Sequence, residues 1–201
     1  SGNFSLSYSE TKFGTKFESN FRKNRDFFVR WSHNQDAKAH PNNRFTANVN
    51  LGTNTYHTNS TFTTDDFLSN SFNSNVSYTR SFPGKPFNLV INARHSQSTR
   101  TNLIDITLPE MTFTVSRIQP FKKKVRSGKP KWYEQIGFSY TMNSRNSVSV
   151  PDSLLFDRST LRRFRNGVKH TVPVTTNFKL FKYFTFNPSF NYTELWLSLI
   201  H

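Results

Sequence analysis

The chain has 201 residues, no cysteine, and 27 Lys and Arg against 12 Asp and Glu, for a net charge of +15. Its mean hydropathy is -0.67, and no stretch approaches the roughly 20 apolar residues of a membrane helix. Disulfides and thiolate metal sites are excluded. Because the sequence has neither an initiator Met nor a signal-peptide run, we expect a fragment of a longer protein.

Aromatic residues dominate the apolar content, with 22 Phe, 7 Tyr and 3 Trp. Asn, Ser and Thr supply most of the rest, and good helix formers are scarce. Such a composition favours pleated strands over long helices. We therefore predict an all-β fold.

The first half of the chain contains an ambiguous segment followed by four predicted strands. Phe13, Phe17 and Phe21 recur every four residues, a spacing that fits either a strand or one helix face, so residues 1–24 have two interpretations. From there on, apolar and polar residues alternate with a period of two, which is typical of strands. The predicted strands are 27–31, 45–52, 72–82 and 87–93, the last two joined by a turn at 83–86.

Around Pro109 the alternation changes phase. Apolar residues are even-numbered from Ile104 to Leu108 and odd-numbered from Met111 to Val115. One additional residue would produce this change, so we predict a β-bulge at the proline.

The last third of the chain repeats the same pattern. Strands are predicted over 132–142 and 168–180, and the second forms a hairpin with 184–192 through the link 181–183. The whole chain then holds roughly nine or ten strands.

Loop lengths suggest the orientation in a membrane. Up-and-down connection puts the links 34–43, 83–86, 118–131 and 181–183 on one side and the links 57–69, 98–101 and 143–167 on the other. Outer-membrane barrels have short periplasmic turns and longer external loops. We therefore predict that the first side is periplasmic, although the long basic link 118–131 departs from the rule.

A soluble β-sandwich or a β-solenoid is the main alternative fold, because alternation also describes a sheet with one wet face. Several predicted strands are long, and their polar residues are mainly Asn, Ser, Thr and Gly, which suits a barrel lumen. Aromatics near strand ends would suit interfacial girdles. We predict antiparallel up-and-down transmembrane strands from a large outer-membrane barrel, with 1–24 a strand or linker segment and 25–201 a partial transmembrane β-barrel.

Two basic clusters point to a polyanionic ligand. The first contains Lys122, Lys123, Lys124 and Arg126, and the second contains Arg158, Arg162, Arg163, Arg165 and Lys169. In an outer membrane the polyanion is lipopolysaccharide, whose phosphates suit Lys and Arg. We take the first cluster as the candidate ligand site, with solvated loop charge as the alternative. Nucleic acid is not expected, since no recognition helix or stacking motif accompanies the charges.

Catalytic patterns do not occur in the sequence. The six His residues lack metal-ligand spacing, and neither a Gly-x-Ser-x-Gly elbow nor a glycine-rich phosphate loop is present. We expect no enzyme activity, no cofactor and no metal site.

Three segments carry a resemblance to a known family. Residues 108–124, 131–140 and 165–174, the last running on to 188–194, resemble the barrel of the lipopolysaccharide-assembly LptD (OstA) family, and the likeness extends from about Arg25 onward. The resemblance implies a very large antiparallel barrel that delivers lipopolysaccharide to the outer leaflet of a Gram-negative cell outer membrane. It also implies an LptE-like outer-membrane lipoprotein plug, a periplasmic bridge protein and membrane lipid as partners.

The function expected is a barrel segment of a lipopolysaccharide translocon, without chemistry of its own. The alternatives are a generic outer-membrane channel or receptor barrel for small solutes and, more distantly, a soluble carbohydrate-binding β-sandwich. The family's N-terminal periplasmic domain, gate strands and cysteines are absent here, so no gate or disulfide role is carried over.

Overall fold

The chain forms one long antiparallel sheet. The computed structural model describes residues 1–14, 21–53, 71–123, 131–155, 157–180 and 183–199. The sheet has nine strands in the order β1-β2-β3-β4-β5-β6-β7-β8-β11. Their bounds are β1 Gly2–Phe13, β2 Arg22–Asn34, β3 Asn43–Gly52, β4 Ser71–Ser81, β5 Phe87–Ser98, β6 Leu103–Ile118, β7 Gly137–Pro151, β8 Arg165–Thr175 and β11 Ser189–Leu199.

Neighbours in this order are also neighbours in the chain, apart from the step from β8 to β11. A two-residue period turns successive side chains to opposite faces, which keeps each strand half apolar and half polar. The connections alternate between the two ends of the sheet, as predicted. The all-β antiparallel architecture is confirmed, and the sheet is open.

Residues 1–24 include a strand rather than a helix face. β1 pairs with β2 along its whole length, from Gly2 opposite His33 to Phe13 opposite Arg22. β2 starts before the boundary that the sequence predicted at residues 24 and 25.

The bulge predicted at Pro109 is present. On β6, two residues lie between Thr107 and Glu110, whereas only one lies between their partners on β5 and on β7. As a result, Thr107 and Glu110 lie on the same face, although their numbers differ in parity. A single inserted residue has this effect because the side-chain period is two.

The strand predicted over 132–142 is wrong at both ends. Trp132–Gln135 form a 3-10 helix, and β7 then runs from Gly137 to Pro151, through the first part of the loop predicted at 143–167. Polar residues from Asn143 to Ser149 suggested a loop, but they pair in the ladder with β6 and β8. The connection to β8 contains a 3-10 helix, Asp152–Leu154, and a short helix α1, Arg158–Arg162.

The predicted hairpin near the C-terminus forms, but both of its strands are interrupted, the second between Phe186 and Ser189. β8 ends at Thr175, and the short strands β9 (Phe178–Leu180) and β10 (Phe184–Phe186) form their own pair. The register nevertheless continues, because Thr175 lies opposite Ser189 and Phe178 lies opposite Phe186.

Candidate functional site on the polar face

The strand register divides the sheet into two chemically different faces. One row across β4, β5 and β6 joins Tyr78, Ile91 and Met111, and the next joins Leu89 to Phe113. We call this side the apolar face. The opposite side, the polar face, carries Asn, Ser, Thr and charged side chains along the same strands, including Asn75, Ser77, Asn88, Asn92, Thr112, Thr114, Thr141 and Asn143.

An ion pair lies on the polar face beside the bulge. Arg94 Nη2 is 3.0 Å from Glu110 Oε2, and the Arg94 side chain is 58% exposed. Water reaches the Arg94 side of the pair and screens it, so the pair adds little to folding stability, although the Glu110 side chain is only 23% exposed. The bulge places the Glu110 carboxylate within reach of Arg94. Arg145 lies opposite Glu110 on β7, but it does not form the ion pair with this carboxylate.

A cavity of about 530 Å³ lies beside this ion pair. Its lining comes from β4 through β7 and includes Asn75, Asn92, Arg94, Thr107 and Arg145. Sequence analysis missed Arg94, Glu110 and Arg145 as members of one site. In the sequence-based prediction Arg145 lies in the loop 143–167 and the strand ends before Arg94, and alternation does not indicate which residues lie opposite each other.

Only part of the predicted ligand site lies in the described residues. Lys122 and Lys123 follow β6, at the same end of the sheet as the turn 82–86, and both are exposed. The Lys122 backbone N–H donates to the Gln119 carbonyl at 3.2 Å. Lys124 and Arg126 lie outside the described residues. Clustering of the four at a ligand therefore stays a prediction.

β11 departs from the pattern of the other strands. On the apolar face, the Glu194 carboxylate accepts hydrogen bonds from Tyr192 Oη at 3.1 Å and Trp196 Nε1 at 2.7 Å. On the polar face, Leu195 and Leu197 are 58% and 76% exposed. From Glu194 onward, β11 therefore carries a charged residue on the apolar face and leucines on the polar face. The alternation up to Tyr192 did not predict this change.

The described residues contain no group of three His, Cys, Asp or Glu side chains that could hold a metal ion. Helices long and apolar enough to cross a membrane are also absent from the described part of the chain. The site described here therefore consists of ordinary polar and charged side chains on a sheet.

Comparison with known proteins gives the family. A search of curated proteins and a search of solved structures each returned no match. A family model described as LptD protein matches residues 1–199. The match covers nearly the whole sequence, including the first 24 residues that the resemblance did not reach. The chain belongs to the LptD protein family.

Proposed function

We propose that this chain is part of the barrel wall of an outer-membrane translocon that delivers lipopolysaccharide to the outer leaflet. LptD family proteins are outer-membrane proteins of Gram-negative bacteria, and the family is one of transport proteins. In this proposal residues 25–201 form a partial transmembrane barrel, and β1 extends it at one edge. The partners are lipopolysaccharide, membrane lipid, an LptE-like lipoprotein plug and a periplasmic bridge protein.

The separation of the two faces supports the proposal most strongly. Transmembrane barrels carry apolar side chains outward to lipid and polar side chains inward to a lumen. The register places Leu89, Ile91 and Phe113 on one face, whereas Asn88, Asn92 and Thr112 share the other. Cross-strand pairs keep this separation from β3 to β8, despite the bulge in β6.

The exposure of many large apolar side chains supports the same conclusion. Among the described residues six hydrophobic side chains are buried, whereas eighteen large ones are exposed. A sandwich would cover one face with a second sheet, but the described residues form a single nine-stranded layer with one short hairpin. Ile104, Val148 and Val150 are buried at one end of the apolar face, whereas the part of this face that is left uncovered requires lipid or another protein surface.

The length of the apolar region also fits a bilayer. Along β5 the apolar face carries Phe87, Leu89, Ile91 and Ala93 and then changes to His95 and Gln97. From Phe87 to His95 is about 26 Å along the strand at roughly 3.3 Å per residue, and a tilt of about 40° reduces this to roughly 20 Å of height, within the apolar band of about 25 Å that barrels present to lipid. In this arrangement the strand ends beyond His95 project past the hydrocarbon region.

Lys122 and Lys123 lie at the predicted periplasmic end, where lipopolysaccharide would enter, and in this proposal Lys124 and Arg126 act with them. Exposure of Lys122 and Lys123 leaves their ammonium groups available to phosphate. Several like charges at an entrance raise the encounter rate with a polyanion. We therefore assign this cluster to capture rather than to chemistry.

Spin labels in the full-length protein test the proposal. A label at Leu89 should be reached by oxygen, which concentrates in lipid, and a label at the adjacent Asn88 should be reached by a water-soluble nickel chelate. A label at Ser153, in the loop after β7, gives the reference for full exposure to water. If Leu89 and Asn88 show equal accessibility to both reagents, the assignment of faces to lipid and lumen is wrong.

A further inference from the structure

A second cavity on the polar face concentrates arginine side chains at the end opposite to Lys122. Its volume is about 690 Å³, and it lies between β6, β7, the start of β8 and the loop that contains α1. Four arginines line it, namely Arg145, Arg162, Arg163 and Arg165. Asp105 is the one carboxylate among the lining residues described.

Within the described part of the chain, none of these arginines forms an ion pair. No described carboxylate lies within 4.0 Å of any of the four, and Glu110 is ion-paired to Arg94 instead. Four positively charged residues that line one cavity repel each other, so a multivalent anion there would be stabilised by their charges. A guanidinium also matches phosphate geometry with two parallel hydrogen bonds.

The loop holds two of these arginines in place by defined contacts. Thr160 is 4% exposed, and its hydroxyl donates to the Leu154 carbonyl. Asp157 caps α1 by accepting from the Ser159 N–H at 3.1 Å. Since Arg162 and Arg163 directly follow this anchored turn, they are positioned beside the strands rather than on a long unconstrained loop.

The remaining lining suits a sugar. Thr107, Ser147 and Ser149 place hydroxyl groups on the same wall, and the half-buried ring of Phe164 lies beside Arg163 and Arg165. Ligand sites typically combine a few placed polar groups with an aromatic surface. A phosphate alone would use the arginines but neither the hydroxyl groups nor the ring.

We infer that this cavity is a binding site for a phosphorylated saccharide, formed by Arg145, Arg162, Arg163 and Arg165 on the polar face. The inference rests on the proposed function, because the ligand reaches this face only if it lines the transport path. By the predicted loop orientation the site lies at the extracellular end, whereas Lys122 and Lys123 lie at the entry end. The two basic regions would then contact the same kind of ligand at opposite ends of the sheet.

Binding of a labelled, deacylated and phosphorylated lipopolysaccharide oligosaccharide to the purified full-length complex tests the inference. The variant is Arg162→Gln with Arg163→Gln, both outside the strands. The matched control is Arg44→Gln with Lys85→Gln, two exposed cations at the opposite end whose loss changes the net charge equally. We expect the variant to weaken binding at least about tenfold, since hydrogen bonds to charged groups are the strong ones, and the control to leave it within about twofold.

Competitors identify the source of the bound phosphate. The dephosphorylated oligosaccharide should bind the parent and the variant equally weakly, and neither inorganic phosphate nor a single-stranded oligonucleotide should compete at equal phosphate concentration. Equal competition by either one, or equal losses in the variant and the control, would show nonspecific attraction of anions and overturn the inference. Unchanged binding in the variant would also overturn it.

Two further measurements keep the result interpretable. Heat-modifiable electrophoretic mobility reports barrel assembly, and Arg162→Lys with Arg163→Lys replaces the test pair if the glutamine variant does not assemble. Those lysines keep the charge but lose the two-pronged geometry, so weaker binding is again expected. Surface delivery of lipopolysaccharide by the parent protein tests the proposed function separately: if delivery occurs but binding ignores the arginines, only the inference fails.

Discussion

A charge placed on the apolar face should destabilise the protein far more than the same charge on the adjacent residue. Ile91 lies on the apolar face of β5, between Tyr78 and Met111, and Val90 lies on the polar face, between Thr79 and Thr112. Both residues are apolar, β-branched and half-buried. Ile91→Arg and Val90→Arg therefore form a matched pair that differs in the face.

The position of Ile91 sets the magnitude. Phe87 lies four positions before Ile91 and His95 four positions after it, which is about 13 Å along the strand in each direction. With a strand tilt of about 40° this becomes roughly 10 Å of height, so Ile91 lies near the middle of the apolar band. An arginine there should cost about 2–4 kcal/mol, and one at Val90 close to zero.

Equilibrium unfolding of the full-length protein by urea in lipid vesicles measures the difference. The fraction of barrel with folded electrophoretic mobility follows the transition, and the parent protein gives the reference free energy of unfolding. If Val90→Arg costs as much as Ile91→Arg, or more, the two faces have been assigned to the wrong environments and the proposed function loses its main support.

Three other changes have defined outcomes. Phe72→Ala should lower the free energy of unfolding by about 3–5 kcal/mol, because Phe72 is 2% exposed and packs on Phe28 with ring centroids 5.7 Å apart; Phe190→Ala, at a ring 64% exposed, serves as the milder comparison in the same unfolding experiment. An epitope inserted at Ser153 should be labelled on intact cells and one at Lys85 should not, whereas the opposite pattern would reverse the orientation. Replacing Lys122, Lys123, Lys124 and Arg126 by Gln should slow surface delivery of lipopolysaccharide about tenfold at low salt and less at high salt, and an unchanged rate and salt dependence would identify them as ordinary loop charge.

The sequence pattern was sufficient for strand identity over much of the chain because it reflects a local property. Side chains of a strand alternate between faces whatever its neighbours are, so Phe87, Leu89 and Ile91 indicate a strand without reference to the rest of the molecule. The bulge at Pro109 was predictable for the same reason, since one additional residue changes the phase of the alternation within a single strand. Family membership was also indicated by local segments and is now supported over residues 1–199.

Strand ends were less predictable where tertiary contacts and local sequence disagree. The aromatic run at Trp132 and Tyr133 has strand-like composition but forms a 3-10 helix. Polar residues 143–149 look like a loop but extend β7, because hydrogen bonds to β6 and β8 on both sides favour the ladder there. Propensity is a weak guide when a segment has partners on both edges.

The sequence by itself determined which residues alternate and that the charges gather in two clusters. Only the tertiary structure decided that Arg145 joins Arg162, Arg163 and Arg165 around one cavity, while Glu110 pairs with Arg94. The physical reason is register: which residues lie opposite each other depends on where two strands meet, and a shift of one residue would send every side chain to the other face. That information belongs to pairs of strands and is absent from any one of them.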